Sequence, residues 1–531
     1  VDGVALSGTT GAVLDPILSL RTRLRLAPGA FARLTFTTGL SADENSARAL
    51  ARKYCEPGIA ARTFALAYTH AQVSLRHLGI SVEEAQLFER LGSRIFFSDR
   101  SLGASEATLA SNTLGQSSLW RHGISGDLPI VVVRVTGEQD LPLVRQILLA
   151  QEHWRLKGLK ADAIILNEHP VSYRDEVHQQ LSQLVEGGPW GGWKGRPGGV
   201  FLLRSDGMPE ADLILIHAIA RAVLSGDEGG LGELFDREQP IPTQACETAF
   251  TDAPADATAI PIPNRLMENG MGGFSTDGRE YVVALEGDRE TPLPWSNVMA
   301  NPGFGTIITT MGSAHTWSDN SRENRLTSFA NDPVTDPTSE AIFLRDEDTH
   351  QVWGATPAPL RRTAQSPRWI IRHAAGVSKF RRHANEIEHE LAVFVAQHDP
   401  VKLSILTLTN HSKYTRRLGA IAYNDWYLAP PRLGAAHFVV TEFDRQARAI
   451  LARNTYNEQY KDWVAFAASS EPLASATGDR TAFLGRNGNL QRAAALAQPT
   501  LSQRFGAGMD PCAALQAIVT LAPGQTYQMV F

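Results

Sequence analysis

The sequence predicts an α+β multidomain chain: a large antiparallel β-sandwich in the C-terminal half, preceded by a helical segment and a small α/β parallel-sheet unit, with the tail of an earlier β-sandwich at the N-terminus. Three observations carry this. From residue 264 onward, short apolar segments alternate with Gly, Pro, Asn and Asp turns, as many short strands do. Between residues 129 and 225, β-branched apolar runs alternate with amphipathic stretches three times, the rhythm of a parallel sheet with crossover helices. Finally, residues 11–36 recur at 506–531 without a gap: Gly11, Asp15-Pro16, Leu26-Ala27-Pro28-Gly29 and Phe36 stand against Gly506, Asp510-Pro511, Leu521-Ala522-Pro523-Gly524 and Phe531. An internal repeat sets architecture before any local signal does. Here it says that one β-module ends at both places, so the chain reads as a piece of something longer.

Residues 1–40 are expected to be the C-terminal strands of a first sandwich, with Leu24–Leu26, a Pro28-Gly29 turn and the alternating Ala32–Phe36. Residues 41–127 are a helical segment: Ser41 and Asp43-Glu44 form a start signal before Ala47–Tyr54, and helical patterning continues through Ala60–Leu78 and Val82–Ile95. Residues 128–225 are the α/β unit. Its strands are Leu128–Val135, Ala161–Leu166 and Gly199–Leu203; its helices are Leu141–Leu156, Val177–Leu184 and one long apolar helix, Glu210–Leu224. Residues 226–263, with Gln239-Pro240-Ile241-Pro242 and Pro261-Ile262-Pro263, form a linker. Residues 264–531 are the sandwich, including Glu280–Leu285, Gly305–Thr310, Ile342–Leu344, Glu390–Val395, Lys402–Thr409 and Ala514–Leu521. Trp154 and Trp426 are expected in the core.

The charge balance excludes some partners. A net charge of −6 with no basic block offers nothing to a phosphate backbone, so nucleic acid is not expected as a partner. No run of about 18 apolar residues occurs, so this segment is expected to be soluble and to make no membrane contact itself. Cys55, Cys246 and Cys512 are too sparse for a disulfide framework or a zinc site and fit a reducing compartment.

The densest chemistry lies in His315–Thr327, where Trp317, Asn320, Arg322, Glu323, Asn324 and Arg325 crowd between strands. Sugars are held by aromatic faces against C–H surfaces and by planar polar groups paired with hydroxyls, and these residue types supply both. The competing reading is a polar loop whose Arg and Glu pair with each other while Trp317 packs as a lid. The glycine-rich Gly187–Gly199 lacks the order of a phosphate-binding loop and precedes a strand, so it is expected to be a mobile loop. His122, Ser125 and Asp127 are too close in sequence for a catalytic triad and are expected in a packed turn.

Longer motifs follow the same stretch. Asn269–Tyr281, Pro294–Val298, Asn301–Thr306, Trp317–Thr327, Asn331–Pro337, Leu344–Glu347, Asn424-Asp425-Trp426 and Phe483–Arg486 together resemble the phosphorylase-like part of cyclic β-1,2-glucan synthases, which belongs with the inverting cellobiose and chitobiose phosphorylases. Leu6–Gly11 with Asp15-Pro16 resembles the end of an earlier sandwich in these synthases, and Leu119–Pro129 and Ile164–Glu168 resemble the stretch between their two sandwiches. The resemblance implies a parent bound to the bacterial inner membrane, with this segment on the cytoplasmic side, that polymerises glucose and trims β-1,2-glucan in a phosphorylase-like module. It implies no cofactor, inorganic phosphate serving as co-substrate of the parent module. It implies that the general acid sits in an (α/α) barrel following the sandwich, so no catalytic residue is expected in this chain; His373, His383 and His389 form no HExxH pattern, so no metal ligand is expected either. The partners implied are β-1,2-glucan and the barrel and glycosyltransferase regions of the parent. Trp317 would then stack on a ring, Arg322 and Arg325 would bond hydroxyls, Asn320 and Asn324 would fix orientation, and Glu323 would orient an arginine. The alternative is a non-catalytic scaffold that holds glycan between the glycosyltransferase and phosphorylase parts.

Overall fold

The structure is a computed structural model that describes residues 4–56, 58–97, 101–170, 175–236, 250, 260–430 and 435–531. The chain divides into two compact units, residues 1–88 and 89–531.

In the first unit, residues 4–43 carry no strand. The Pro28-Gly29 turn closes, with Ala30 N–H donating to the Ala27 carbonyl at 3.0 Å, but among the described residues the flanking segments join no strand ladder and stay exposed. Residues 24–36, expected as the last strands of an earlier sandwich, are not strands here: alternation supplies a face, while a strand forms only when a neighbour takes up its N–H and C=O groups. The helices α1 (Glu44–Tyr54) and α2 (Ile59–Leu78) do form where expected. Asp43 caps α1 by accepting from Ser46 N–H at 2.9 Å. Gly79, at φ 64°, ends α2 in the left-handed region that an L side chain disfavours. Ser81 and Glu84 then cap each other's backbone reciprocally (3.1 and 2.9 Å) at the start of α3 (Val82–Phe96).

The second unit opens with α4 (Glu106–Ser111) and then the parallel sheet. Its strands are β1 (Ile130–Val135), β2 (Asp162–Asn167), β3 (Val200–Arg204) and β4 (Ala220–Ser225), in the order β3-β2-β1-β4. The helices are α5 (Leu141–Leu156), α6 (Glu176–Gly187) and α7 (Glu210–Ile219). One expected element is two: the helix predicted over 210–224 stops at Ile219, and Ala220–Ser225 pairs parallel with β1. A continuous apolar run cannot tell a buried helix from a buried strand, and only the sheet edge offered by β1 separates them.

Part of the expected linker is also folded. Gly226–Glu228 forms a helical turn, and α8 (Leu231–Asp236) buries Leu231, Leu234 and Phe235, with the Arg90 guanidinium 4.4 Å from the Phe235 ring centre. The Gln239–Pro242 run and Cys246 lie outside the described residues. The loop expected to be mobile is instead packed: Trp190 is buried with its indole N–H on the Leu184 carbonyl (2.8 Å), and Arg155 stacks 4.3 Å over Trp193. His122 pairs with Asp212 of α7 at 2.9 Å, while Asp127 accepts from Gln116, so these side chains brace a turn.

The sandwich begins with β5 (Arg265–Leu266), β6 (Gly272–Ser275), β7 (Glu280–Leu285), β8 (Ser296–Asn301), β9 (Phe304–Thr309), β10 (Ala314–Ser318) and β11 (Arg325–Thr327). It continues with β12 (Glu340–Asp346), β13 (Val352–Gly354), β14 (Trp369–Ala374), β15 (Val377–Ala384), β16 (Ile387–Val395), β17 (Lys402–Asn410) and β18 (Arg416–Ala429). After these come β19 (Val439–Asp444), β20 (Ala449–Asn454), β21 (Ala465–Ala468), β22 (Leu473–Asp479), β23 (Pro511–Leu521) and β24 (Thr526–Val530).

Among the described residues, one sheet runs β24-β17-β16-β15-β14-β7-β6-β5. The other runs β13-β12-β18-β11-β10-β9-β8, with β23 placed between β18 and β22, and β19-β20-β21 form a small third sheet. The two large sheets enclose Leu285, Trp353, Trp369, Phe380, Leu406, Leu418, Leu521 and Met529. Strand β16 shows why: Ile387, His389, Leu391 and Val393 are buried while their neighbours are partly exposed, the period of two that a face-to-face sandwich requires. Trp154 and Trp426 are buried as expected. Phe438 and Tyr456 of the sandwich region stack 4.0 Å apart and pack on the core of the parallel-sheet unit, where Glu458 accepts from Ser117 N–H and Oγ–H (3.2 and 2.7 Å).

Candidate functional site

The loop singled out by its residue types joins β10 to β11, and strand alternation divides it between two faces. Ala314, Thr316 and Ser318 point into the sandwich, so His315 and Trp317 point the other way. Trp317 stands opposite Gly305 on β9 and Arg325 on β11. Its indole covers the Gly305 backbone so closely that a Cβ there would collide with the ring. His315 stacks on Phe329 with ring centres 4.6 Å apart, and its Nδ1–H donates to the Thr327 carbonyl at 2.9 Å. Burial holds the His315 imidazole down at about 4, helped by the Arg325 charge, so the ring is neutral at neutral pH. Arg325 lies 5.9 Å from the Phe329 ring centre.

The tip of the loop has a different construction. Asp319 turns the chain at φ 62° and accepts from the Tyr460 hydroxyl at 2.8 Å. Asn320 accepts from Arg322 N–H and Glu323 N–H (2.9 and 3.0 Å), so its side chain builds the turn. Arg322 is 79% exposed and meets Glu323 at 3.4 Å. Such an exposed pair contributes little to stability. Asn324 turns inward and is buried. The structure therefore groups Trp317 with Arg325 on the outer face, leaves Arg322 and Glu323 at the tip, and separates Asn324 from all of them.

Asn324 faces a cavity of about 510 Å³ between the sheets, walled by Ile308, Leu326, Leu391, Leu515 and Trp426. Tyr460, Trp463 and Phe466 also line it, and Trp463 and Phe466 are half exposed. Lys402 forms an ion pair with Glu340 in the wall. The other Glu340 oxygen accepts from Thr316 and Thr327 hydroxyls (2.6 and 2.8 Å), and Lys402 reaches Thr316 Oγ1 at 3.2 Å. Burial lowers Lys402 to about 7, the direction expected when an ammonium leaves water. Reading the sequence missed this group. Glu340 and Lys402 lie 62 residues apart at the ends of two strands, and nothing local marks either. Among the described residues no cluster of His, Cys, Asp or Glu is placed to hold a metal ion, and no helix is long and apolar enough to cross a membrane.

Comparison with known proteins places these features in a family. The family described as glycosyl hydrolase 94, supersandwich domain, matches residues 1–57 and 279–531, more than half of the chain. Cyclic beta-(1,2)-glucan synthase NdvB of Rhizobium meliloti (strain 1021) is 35% identical over 543 aligned residues, spanning 100% of this chain and 19% of that protein. N,N'-diacetylchitobiose phosphorylase of Vibrio furnissii is 24% identical over 265 residues, 48% of this chain and 32% of its own length. Solabiose phosphorylase of Paenibacillus borealis is 26% identical over 267 residues, 48% of this chain and 33% of its own. The chain thus spans about a fifth of the first relative and a third of the others. By the match over residues 1–57 and 279–531, the chain belongs to the glycosyl hydrolase 94 supersandwich family.

Proposed function

We propose that this chain is an internal segment of a cyclic β-1,2-glucan synthase and contributes the carbohydrate-binding β-sandwich of its phosphorylase-like, glucan-trimming module. The observation that carries the reading is the similarity to such a synthase along the entire chain, helical and α/β parts included. The similarity to disaccharide phosphorylases over about half of the chain supports the trimming role. The parent would be membrane-bound and would use inorganic phosphate as co-substrate. Inverting transfer requires one carboxylic acid to protonate the leaving oxygen while phosphate attacks from the opposite face. On this reading that acid lies outside these residues, in an (α/α) barrel, and the sandwich closes the sugar site.

The outer-face pair Trp317 and Arg325, with Arg322 and Glu323 at the tip, suits that task. An aromatic ring and the Arg325 guanidinium lie on the side of β10 and β11 away from the cavity, and Arg322 is exposed at the loop tip, a set that suits contact with a glucan held beyond the sandwich. Asn320 shapes the turn that presents them. The second reading, a scaffold that only holds glycan, makes a different prediction for Trp317→Ala and Arg322→Ala in the longer parent protein. Phosphorolysis of linear β-1,2-glucan, followed as glucose 1-phosphate release, is expected to fall at least tenfold in each variant. Near-normal release with an altered distribution of product sizes would establish the scaffold instead.

A further inference from the structure

The first copy of the repeat carries the turn of the second without its strands. Ala30 N–H donates to the Ala27 carbonyl at 3.0 Å, and Gln525 N–H donates to the Ala522 carbonyl, also at 3.0 Å. Gly29 and Gly524 hold φ at 76° and 74°, so the two turns share one shape. In the second copy that turn sends β23 into one large sheet, between β18 and β22, and β24 onto β17 of the other. In the first copy the residues of the matching inner face, Leu18, Leu20, Leu24, Leu26, Leu34 and Phe36, are all exposed. The supersandwich family matches residues 1–57 as well as 279–531. An exposed apolar face of this length marks an interaction site, and the second copy shows what covers such a face: the backbone edges of two facing sheets.

The opposite face of the segment argues against a second copy of this chain as the partner. By the repeat, Ser19, Arg21 and Arg25 stand at the places of Ala514, Gln516 and Thr520. Gln516 is 1% exposed and donates to the Pro499 carbonyl at 3.1 Å, while Cys512 and Ala514 pack in one cluster with Phe483, Leu496 and Leu501. Arg21 in the place of Gln516 would carry a guanidinium into that covered layer, a costly burial. The slot is also already filled by β23. The partner is therefore a sandwich of the same kind whose outer layer is open at these positions.

We propose that residues 17–26 and 31–35 are two β-strands donated to a separate supersandwich of the longer parent protein, one to each of its sheets, in the places that β23 and β24 hold here. That partner presents one edge like β18 and one like β17. It receives Leu20, Leu24 and Leu26 on its inner face and leaves the layer outside Arg21 and Arg25 to water, as an antiparallel sheet with one solvated face does. Backbone pairing holds the strands, and the alternate leucines fix their register. The inference rests on the reading of this chain as a segment of a longer protein and is independent of the sugar which that protein handles.

The test is amide hydrogen exchange, read by mass spectrometry, on this chain alone and on the longer parent protein, with light scattering to give the oligomeric state of each. Amides of residues 17–26 and 31–35 are expected to exchange about a hundredfold or more slowly in the parent than in this chain alone. In the parent, Leu20→Asp on the inner face is expected to abolish that protection and Arg21→Glu on the outer face to keep it. Unchanged protection at Cys512–Leu521 checks that the rest of each variant is folded. Rapid exchange at 17–26 and 31–35 in the unaltered parent overturns the proposal, as does an equal effect of Leu20→Asp and Arg21→Glu. Protection already present in this chain alone, together with a dimer by light scattering, makes a second copy the partner and overturns the choice of acceptor. Phosphorolysis by the parent is scored separately. Rapid exchange in a parent that releases glucose 1-phosphate removes the donated strands alone, and protection in a parent that releases none leaves them standing.

Discussion

The passage at 11–36 and its second copy at 506–531 share a turn, an Asp-Pro entry and a matching set of apolar positions, yet they have different structures. In the second copy, β23 pairs along Cys512–Leu521 with β18 and also with β22, and β24 pairs with β17. Leu515, Val519, Leu521 and Met529 are buried there. Their counterparts Leu20, Leu24, Leu26 and Leu34 are exposed, Leu20 at 64% against 1% for Leu515. The residues that remain outward also correspond, Arg25 standing where Thr520 is exposed. The difference teaches that alternation encodes a face and a register, while the strand itself is a property of the pair.

That comparison can be broken most directly by amide hydrogen exchange. Amides of Cys512–Leu521 and Thr526–Val530 are expected to be protected by roughly a thousandfold or more over those at 17–26 and 31–35, since the former open only with the sandwich. Comparable protection in both copies would mean that the first copy is paired in solution.

Substitution gives the next largest effect. Leu515→Asp places a carboxylate between sheets and is expected to remove on the order of 4 kcal/mol, whereas Leu20→Asp should stay within about 0.5 kcal/mol. Urea unfolding followed by circular dichroism measures both; a similar loss at Leu20 would contradict its exposure.

Acid sharpens the contrast more gently. His315 and His373, in the sandwich, are both held near 4 chiefly by burial. The unfolded chain takes up these protons near pH 6.5 and the folded sandwich only near 4. Stability is therefore undiminished above about 6.5 and falls as pH drops from there toward 4. Between pH 7.5 and 5.0 each histidine should subtract about 2 kcal/mol, and His315→Phe should reduce that pH dependence by its share. An unfolding midpoint independent of pH over this interval would show that neither ring is buried neutral.

Much was legible where the signal is local. The Asp43 start signal is read from a few adjacent residues, and α1 begins beside it; the periodicity through Ala60–Leu78 and Val82–Ile95 matches α2 and α3 to within a residue or so. The sandwich strands at Glu280–Leu285 and Lys402–Asn410 follow from alternation. Other features were not legible because they depend on residues far apart. The break at Ile219 exists because β1 offers a parallel edge, and Trp190 is held because a groove beside α6 receives it. The candidate loop was found from its composition, but its division into an outer Trp317 and an inner Asn324 depends on the position of β10 within the sheet.

By itself, then, the sequence determined the first three helices, the fold class, the repeat and the family, since each is carried by short-range periodicity, capping chemistry or motif order along one chain. The tertiary structure alone decided which copy of the repeat becomes β-strand, where a helix gives way to a fourth parallel strand, and how Lys402 meets Glu340 between the sheets. The reason is physical. Backbone pairing and burial are interactions between distant segments, and a hydrogen-bond donor or an apolar face acquires its meaning only from what is placed against it.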